Sequence, residues 1–420
     1  MKNVLETVHQ IQEFGDICDH CLGRLFAKRS FGLTNKQRGR ALRIAHALAY
    51  DIPFVSYEKG TCWICDDLFD SIHAWAEKAA IAMQDVECTT FVVGTRVPPM
   101  MTESEEMIWS DLSLEYPEPI KSEMNREVGK AISTLTGKKG EPKNPEVTVV
   151  LNIADDCVEL QIASIYFYGR YLKYERGIPQ THWNCRACRG NGCEKCNFTG
   201  KQYPTSVEEL IAEAPKQMFA ADKGVLHGSG REDIDALMIG TGRPFVMEMR
   251  NPKIRSVDLG RLELAINATT ARRVQVKLER WSDKKTVEML KSHKGHKTYR
   301  ILVDIEGDIS LETVQNVVSK LKGALIHQRT PERVAHRRAD LIRDRTVVDI
   351  ECLGMEGSFY RIEVMGEGGL YIKELVSGDR GRTTPSLAEI LDAPAKVVAL
   401  DVVQVDEINN EMETNKNGKT

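Results

Sequence analysis

No stretch of this chain stays apolar for the roughly 18–20 residues that a membrane-spanning helix needs. Its first residues, Met1-Lys2-Asn3-Val4-Leu5-Glu6, lack the apolar core of a secretion signal. A cytoplasmic protein with no membrane partner is the expectation. An excess of one charge is missing as well: 57 Lys and Arg stand against 61 Asp and Glu, for a net of −4. Several cofactor signatures are also absent. Gly240-Thr-Gly242 and Gly366-Glu-Gly368-Gly369 fall short of the dinucleotide fingerprint. The His-x-Glu and Pro-Cys-x-x-Cys pair of zinc deaminases does not occur, no S-adenosylmethionine-binding loop is visible, and there is no internal repeat. What remains is an ordinary globular composition, 42% hydrophobic and 28% charged over 420 residues, long enough for two or three domains.

The near-zero net charge hides a strong local imbalance. Residues 268–345 hold 18 Lys and Arg against 10 Asp and Glu, whereas Glu103, Glu105, Glu106, Asp111, Glu115, Glu118, Glu123 and Glu127 make residues 101–128 acidic. Binding to a polyanion follows the local field, so the basic stretch points to nucleic acid. Solvated helix faces are the competing explanation for such a run.

Eight of the eleven cysteines form four Cys-x-x-Cys pairs: Cys18/Cys21, Cys62/Cys65, Cys185/Cys188 and Cys193/Cys196. In a reducing compartment that pattern means metal ligation rather than disulfides, and two such turns supply four thiolates to a tetrahedral Zn²⁺. The Cys185–Cys196 set is compact, with Gly190 and Gly192 allowing a tight reversal, and is similar to the Gly-rich cysteine repeats of chaperone zinc domains. Redox use is the rival reading. Cys88, Cys157 and Cys352 are expected to be buried small hydrophobes.

Periodicity predicts helices over Thr34–Tyr50, Asp70–Met83 and Glu123–Thr136, and strands over Thr89–Val97, Val147–Ala154 and Val158–Ala163. Residues 184–204, rich in Gly and Cys, are expected to form a hinge between a domain at 1–183 and one at 205–407. The polar segment 408–420 is expected to be disordered. In the second domain, strands are expected at Pro244–Met249, Val274–Trp281, Thr298–Asp304, Val347–Leu353, Phe359–Val364 and Val397–Val405. Helices are expected at Ser310–Leu321, Pro331–Ile342 and Ser386–Leu391. Mixed order without strict βα alternation implies an α+β fold: a mixed, largely antiparallel sheet with helices on one face.

The densest information lies in Gly228-Ser-Gly-Arg231-Glu-Asp233-Ile-Asp235 and the following Gly240-Thr-Gly-Arg-Pro-Phe. Arginine is charged at any working pH, so Arg231 can hold Asp233 ionised where both are enclosed. Asp235 competes for the same role, since a two-residue offset puts it on the same face of an extended chain. Later, Gly369-Leu-Tyr371-Ile-Lys373-Glu-Leu375 adds an aromatic and a second cation.

Gly-Arg-x-Asp is the catalytic motif of pseudouridine synthases, and Gly-x-Tyr-Ile-Lys-x-Leu resembles the late motif of the tRNA pseudouridine-55 synthase and dyskerin group. The long form, Gly-Arg-Glu-Asp-Ile-Asp with Gly-Thr-Gly-Arg-Pro-Phe, is similar to the archaeal-type tRNA pseudouridine-54/55 synthase family. The resemblance spans about 180–405 well and the preceding residues more loosely. It implies an isomerase acting on tRNA uridines 54 and 55 without catalytic cofactor or required protein partner, as a monomer. It implies an N-terminal α/β module containing a THUMP domain, with Cys18, Cys21, Cys62 and Cys65 forming one zinc knuckle. Asp233 then becomes the reaction-centre carboxylate, as nucleophile at the sugar or as the group that removes a sugar proton. Tyr299 stacks on the base and can take the C5 proton if its pKa is lowered. Tyr371 lines the pocket, Lys373 pairs with Asp233, and Leu375 packs beneath the base. Family members of the pseudouridine-55 type carry Arg where Lys373 stands. On the expected helix from Pro331, Arg333 and Arg337 project together, with Arg338 beside them, toward successive phosphates. Lys284–Lys297 is expected to be a basic RNA-clamping loop. A catalytically silent tRNA-binding protein is the alternative.

Overall fold

The computed structural model describes residues 4–406 except 61, 116 and 294, and only the backbone of 336 and 337. The chain divides into two compact units, Met1–Ala163 and Ser164–Thr420. This moves the expected domain boundary. Strand Ile165–Lys173, within the block assigned to the first domain, pairs antiparallel with both Leu237–Arg250 and Val274–Ser282 in the second unit. Residues 184–204 therefore lie inside that unit. The tail at 408–420 lies outside the described residues. Among the described residues no helix is long and apolar enough to cross a membrane.

In the first unit, Thr34 caps helix Asn35–Ala49 through a reciprocal box: its side chain accepts from the Gln37 N–H, and the Gln37 side chain accepts from the Thr34 N–H. This helix meets the short helix Asp19–Arg24 at two glycines. A Cβ on Gly23 would lie 1.8 Å from the Asn35 carbonyl oxygen, and one on Gly39 would lie 1.9 Å from that of Asp19. Backbone thus packs on backbone, which holds Cys18, the N-cap of the short helix, and Cys21 in place. Beyond them a sheet runs in the order Lys139–Gly140, Thr90–Arg96, Val147–Asn152, Cys157–Ile162, with parallel pairs except the last. Helices Ile72–Ala82 and Ile120–Thr136 contribute Trp75, Ala76, Ala79, Met124, Val128 and Ile132 to its core. Cys88 and Cys352 are buried as expected. Cys157 is exposed, because it begins an edge strand.

The second unit is built on a ten-stranded mixed sheet. Its order is Thr383–Thr384, Leu325–Arg329, Ile342–Glu356, Phe359–Gly366, Lys297–Ile305, Ala395–Val405, Leu237–Arg250, Ile165–Lys173, Val274–Ser282, with Lys223–Gly228 paired to Leu237–Arg250. The pair Ala395–Val405 with Leu237–Arg250 is parallel and the other pairs are antiparallel. Helices Val207–Met218, Leu259–Thr269 and Leu311–Lys320 send Ile211, Leu262, Ile266, Val314 and Val318 into one core with Phe167, Met247 and Val303. Contrary to the single-faced arrangement expected, helix Lys284–Ser292 covers the other side: Val287 and Leu290 pack with Tyr168 and Val246, the strand neighbours of Phe167 and Met247. Residues 284–292 of the basic segment are therefore a capped helix rather than a loop. Asp283 accepts from the Thr286 N–H at 2.9 Å and starts it.

The glycine contact in the first unit yields a test. Gly39→Ala adds one methyl where only backbone fits, an overpacking cost of about 1–3 kcal/mol. The unfolding transition of that unit should fall by roughly 2–10 °C, measured by calorimetry. An unchanged transition would show that the helices separate freely.

Candidate active site

After strand Lys223–Gly228 the chain turns sharply, with Gly230 at φ +75°. Asp233 follows in a segment that no regular element holds, so its position depends on side chains beneath it. Glu232 points inward, fully buried, with Arg243 Nε 2.9 Å from its carboxylate. The Tyr171 hydroxyl donates to the same carboxylate at 2.9 Å, and Gln180 Nε2 donates to Tyr171 Oη at 2.9 Å and to the Gly230 carbonyl at 3.1 Å. Arg243 Nη1 donates to the Ser229 carbonyl at 2.7 Å. Burial works against the Arg243 charge, yet Glu232 and the neighbouring tyrosines lift its pKa above the ordinary arginine value. Burial, with Glu232 alongside, pushes the Tyr171 phenol well up. On the other flank, the buried Lys173 ammonium donates to the carbonyls of Ile178 and Ile234 at 2.9 and 3.1 Å.

Held this way, Asp233 faces a cavity of about 780 Å³ whose lining includes Trp183, Arg231, Asp235, Lys297, Tyr299, Arg338, Tyr371 and Lys373. The cations at its carboxylate are Arg333, 3.3 Å away, and Lys373, 3.4 Å away. Lys373 lies closer to Asp235, at 2.8 Å, but Asp235 is 67% exposed against 35% for Asp233. Arg231, expected beside Asp233, instead stacks its guanidinium over the Trp183 ring at 4.7 Å. Arg333 is clamped by the buried Glu374, to which its Nε donates at 2.7 Å; Glu374 outweighs burial and raises the Arg333 pKa.

The expected helix Pro331–Ile342 does not form. A short 3-10 turn spans Glu332–Arg337, and strand Ile342–Glu356 starts soon after. Thr330 Oγ1 donates to the Ala339 carbonyl at 2.7 Å and accepts from the Leu341 N–H, while Asp340 pairs with Arg329 and Arg382. These bonds close a loop where a helix would have to continue. Arg333 accordingly turns to the carboxylates; the Arg337 side chain lies outside the described residues. Arg338 is exposed at the rim and donates to Tyr371 Oη at 3.0 Å. Tyr371 is fixed from behind by Gln328, which accepts from its N–H at 2.8 Å and donates to its carbonyl at 2.9 Å. Leu375 is buried in the core and is not among the lining residues. Tyr299 lines the cavity, but burial and then Asp233 raise its phenol, the opposite of the lowering a base needs. Glu232, Arg243, Glu374, Gln328, Trp183 and Lys297 escaped sequence reasoning. Charged residues inside a strand or beside a motif offered the only signal.

Both cysteine sets come together. Cys18, Cys21, Cys62 and Cys65 form one group, Cys185, Cys188, Cys193 and Cys196 another, with all ligand atoms in each within 4.8 Å of one another. Sulfur separations of 3.7 Å for Cys18–Cys65, and 3.9, 3.8 and 3.7 Å in the second set, are close to the roughly 3.8 Å edge of a tetrahedron with 2.3 Å metal–sulfur bonds. Backbone N–H groups of Cys193 and Gly200 point at Cys196 Sγ, each at 3.3 Å, and favour its thiolate. Either group could hold a metal ion.

A carboxylate between two cations, facing tyrosines and an arginine set over a tryptophan ring across one cleft, fits the class of enzymes that rearrange a flat base. The family model described as "Pus10, C-terminal" matches residues 166–406, and "Pus10 THUMP domain, archaeal" matches 75–152. The chain is similar to tRNA pseudouridine synthase Pus10 of Halorubrum lacusprofundi, 43% identical over 412 residues covering 96% of both chains. The Archaeoglobus fulgidus protein of that name is 44% identical over 82% of this chain and 94% of its own, and the Pyrococcus furiosus protein 38% over 96% and 98%. A solved Cbf5-Nop10-Gar1 complex gives a weaker likeness, 20% identity and TM-score 0.31 over 47% of this chain and 45% of that one, on which nothing rests. The chain belongs to the Pus10 family of tRNA pseudouridine synthases, isomerases of uridine in tRNA.

The buried pair beneath Asp233 gives the second test. Glu232→Gln leaves the Arg243 charge uncompensated and should cost about 3–5 kcal/mol of stability, read by denaturant unfolding. Glu232→Leu with Arg243→Met should recover much of that stability but not the pseudouridylation rate, because the turn loses its anchor. Full activity in the double variant would show that Asp233 is positioned by something else.

Proposed function

We propose that this protein isomerises uridines 54 and 55 in the T arm of tRNA, with Asp233 as the reaction-centre carboxylate. The placement of Asp233 between Arg333 and Lys373, in the cleft with Tyr299 and Tyr371, carries the reading. The choice of uridines rests on the resemblance of Gly228–Phe245 to the 54/55 branch. Attack on C1′ and removal of a sugar proton both require the carboxylate form of Asp233, and Arg333 and Lys373 are the cations beside it. Tyr299 and Tyr371 stack on or border the base, and the Arg231–Trp183 stack widens that flat surface. With its phenol raised, Tyr299 serves as platform and proton donor rather than as base. Arg338 and the neighbouring rim cations Arg343 and Arg345 meet RNA phosphates. Asp235 shares Lys373 and is solvated, a supporting role.

The reaction needs no outside reagent. The N1–C1′ bond breaks with its electron pair on the uracil, the ring turns, and C5 bonds to C1′. The C5 proton leaves and N1 gains a proton in its place, so composition is unchanged.

Asp233→Asn should lower the single-turnover rate on unmodified tRNA transcript at least roughly 10³-fold. tRNA affinity should stay within about threefold, since phosphates supply most of it. Asp235→Asn should keep most of the rate. Position-resolved pseudouridine mapping reads both uridines, and an active Asp233→Asn protein would sink the assignment.

The two cysteine groups are structural zinc sites in this reading, four thiolates each with no open position for chemistry. Metal analysis of purified protein should find about two zinc ions per chain. Cys62→Ser should remove one and destabilise the first unit while sparing the chemical step at saturating tRNA. A stable, metal-free protein would refute it.

A further inference from the structure

Lys297 is the one cavity-lining cation that the reading above leaves without a task, and its surroundings are unusual. It stands two residues before Tyr299 on strand Lys297–Ile305, so both side chains leave the strand on the same face, and both line the cleft. Its ammonium reaches the floor of the turn that carries Asp233. A Cβ on Gly230 would lie 2.4 Å from Lys297 Nζ, so the glycine leaves the room that the ammonium occupies. Every other cation in the cleft is engaged: Arg243 by Glu232 and Ser229, Arg333 by Glu374 and Asp233, Lys373 by Asp233 and Asp235, Arg231 by Trp183, Arg338 by Tyr371, Arg343 by Thr330, Arg345 by Gly368. Among the described residues, no hydrogen bond or ion pair is recorded for Lys297 Nζ. The charged groups facing it are Arg243, which repels it, and Glu232, already paired with Arg243. A partly buried cation with no anion beside it is costly unless an anion arrives.

We propose that Lys297 holds the detached uracil through a carbonyl oxygen while the base turns, stabilising the negative charge that appears on it. The inference rests on the Asp233 reading of the cleft. When N1–C1′ breaks, the bond's electron pair spreads from N1 to O2 and O4 of the ring. A fixed ammonium held in place beforehand is worth most at the moment that charge develops, and little before it. The position favours the base over a phosphate: Lys297 lies on the floor beside Tyr299, whereas Arg338 is exposed at the rim. Burial and the nearby Arg243 lower the amine to about 8. The protonated form therefore prevails below pH 8 and is lost above it, later when RNA phosphates are bound.

The test is single-turnover pseudouridine formation by the full-length protein on saturating unmodified tRNA, with Lys297→Met, Lys297→Gln and Lys297→Arg. Met and Gln should slow the step roughly 10²-fold, the scale of removing one preorganised donor, with tRNA affinity and melting temperature near wild type. Wild-type rate should fall as pH rises past about 8, whereas Lys297→Arg, if active, should lose that decline. A Met variant within threefold of wild-type rate overturns the proposal. So does a loss confined to tRNA affinity, which makes Lys297 a phosphate contact. If Met unfolds the protein, the pH profile of the Arg variant decides: an unchanged decline overturns the proposal. Wild-type protein inactive on tRNA, or an active Asp233→Asn variant, would instead sink the reading on which the inference rests.

Discussion

A single buried ion pair, Glu232 with Arg243, governs the geometry of the cleft. Asp233 sits in a turn without ladder hydrogen bonds, so its direction is set by its neighbour in sequence pulling inward. Glu232 is held by Arg243 and Tyr171, and Arg243 in turn holds the Ser229 carbonyl. Glu232 is thus buried while Asp233, next to it in the chain, lines the cleft. Such pairs add little net stability over apolar packing, since desolvation offsets their attraction. Their contribution here is orientation of the turn that carries Asp233.

A second buried carboxylate repeats the device from the other side. Glu374 lies one residue after Lys373, is nearly inaccessible, and clamps Arg333 in bidentate fashion. Lys373 is thereby directed outward, and Arg333 is held where its remaining nitrogen meets Asp233. Three segments far apart in sequence, around residues 233, 333 and 373, converge through charges that alternate between buried and exposed. That convergence also accounts for the absence of a helix after Pro331. A regular helix would fan its arginines toward solvent, whereas the 3-10 turn delivers Arg333 to two carboxylates.

How much of this was legible depended on the range of the interaction. Elements governed by local chemistry were readable: Thr34 with Gln37 marks the helix Asn35–Ala49, and Ser386 with Glu389 marks Leu387–Leu391. Cys-x-x-Cys spacing carried both cysteine groups that could hold a metal ion, because each half is a local turn. Strand Ile165–Lys173 was missed: its neighbours in the sheet are contributed by residues 237–250 and 274–282, and nothing at 165–173 names them. Asp233 was legible through its motif and Lys373 as one cation beside it, but its second cationic partner was not. Sequence adjacency favoured Arg231, while the fold supplies Arg333, a hundred residues later. The Lys284–Lys297 segment read as a loop because its charge was weighed above Val287 and Leu290, the apolar pair that seats it as a helix.

The second cysteine group shows how a site with no part in the chemistry can still bear on it. The backbone at its base is tied by the Cys185 N–H to the Gly200 carbonyl at 2.7 Å and by the Gln202 N–H to the Trp183 carbonyl at 2.9 Å. Trp183 is thus carried at the mouth of the cysteine loop, and its ring supports the Arg231 guanidinium. An arginine held over an indole loses rotamer freedom but keeps its charge, and its guanidinium is a plane of the kind that bases stack on. Closing four thiolates around one ion would stiffen the loop that positions this plane. A metal several residues from any reacting atom then affects catalysis through geometry alone. This agrees with a reaction that moves no electrons to or from an outside carrier and changes only which atom of the base is bonded to the sugar.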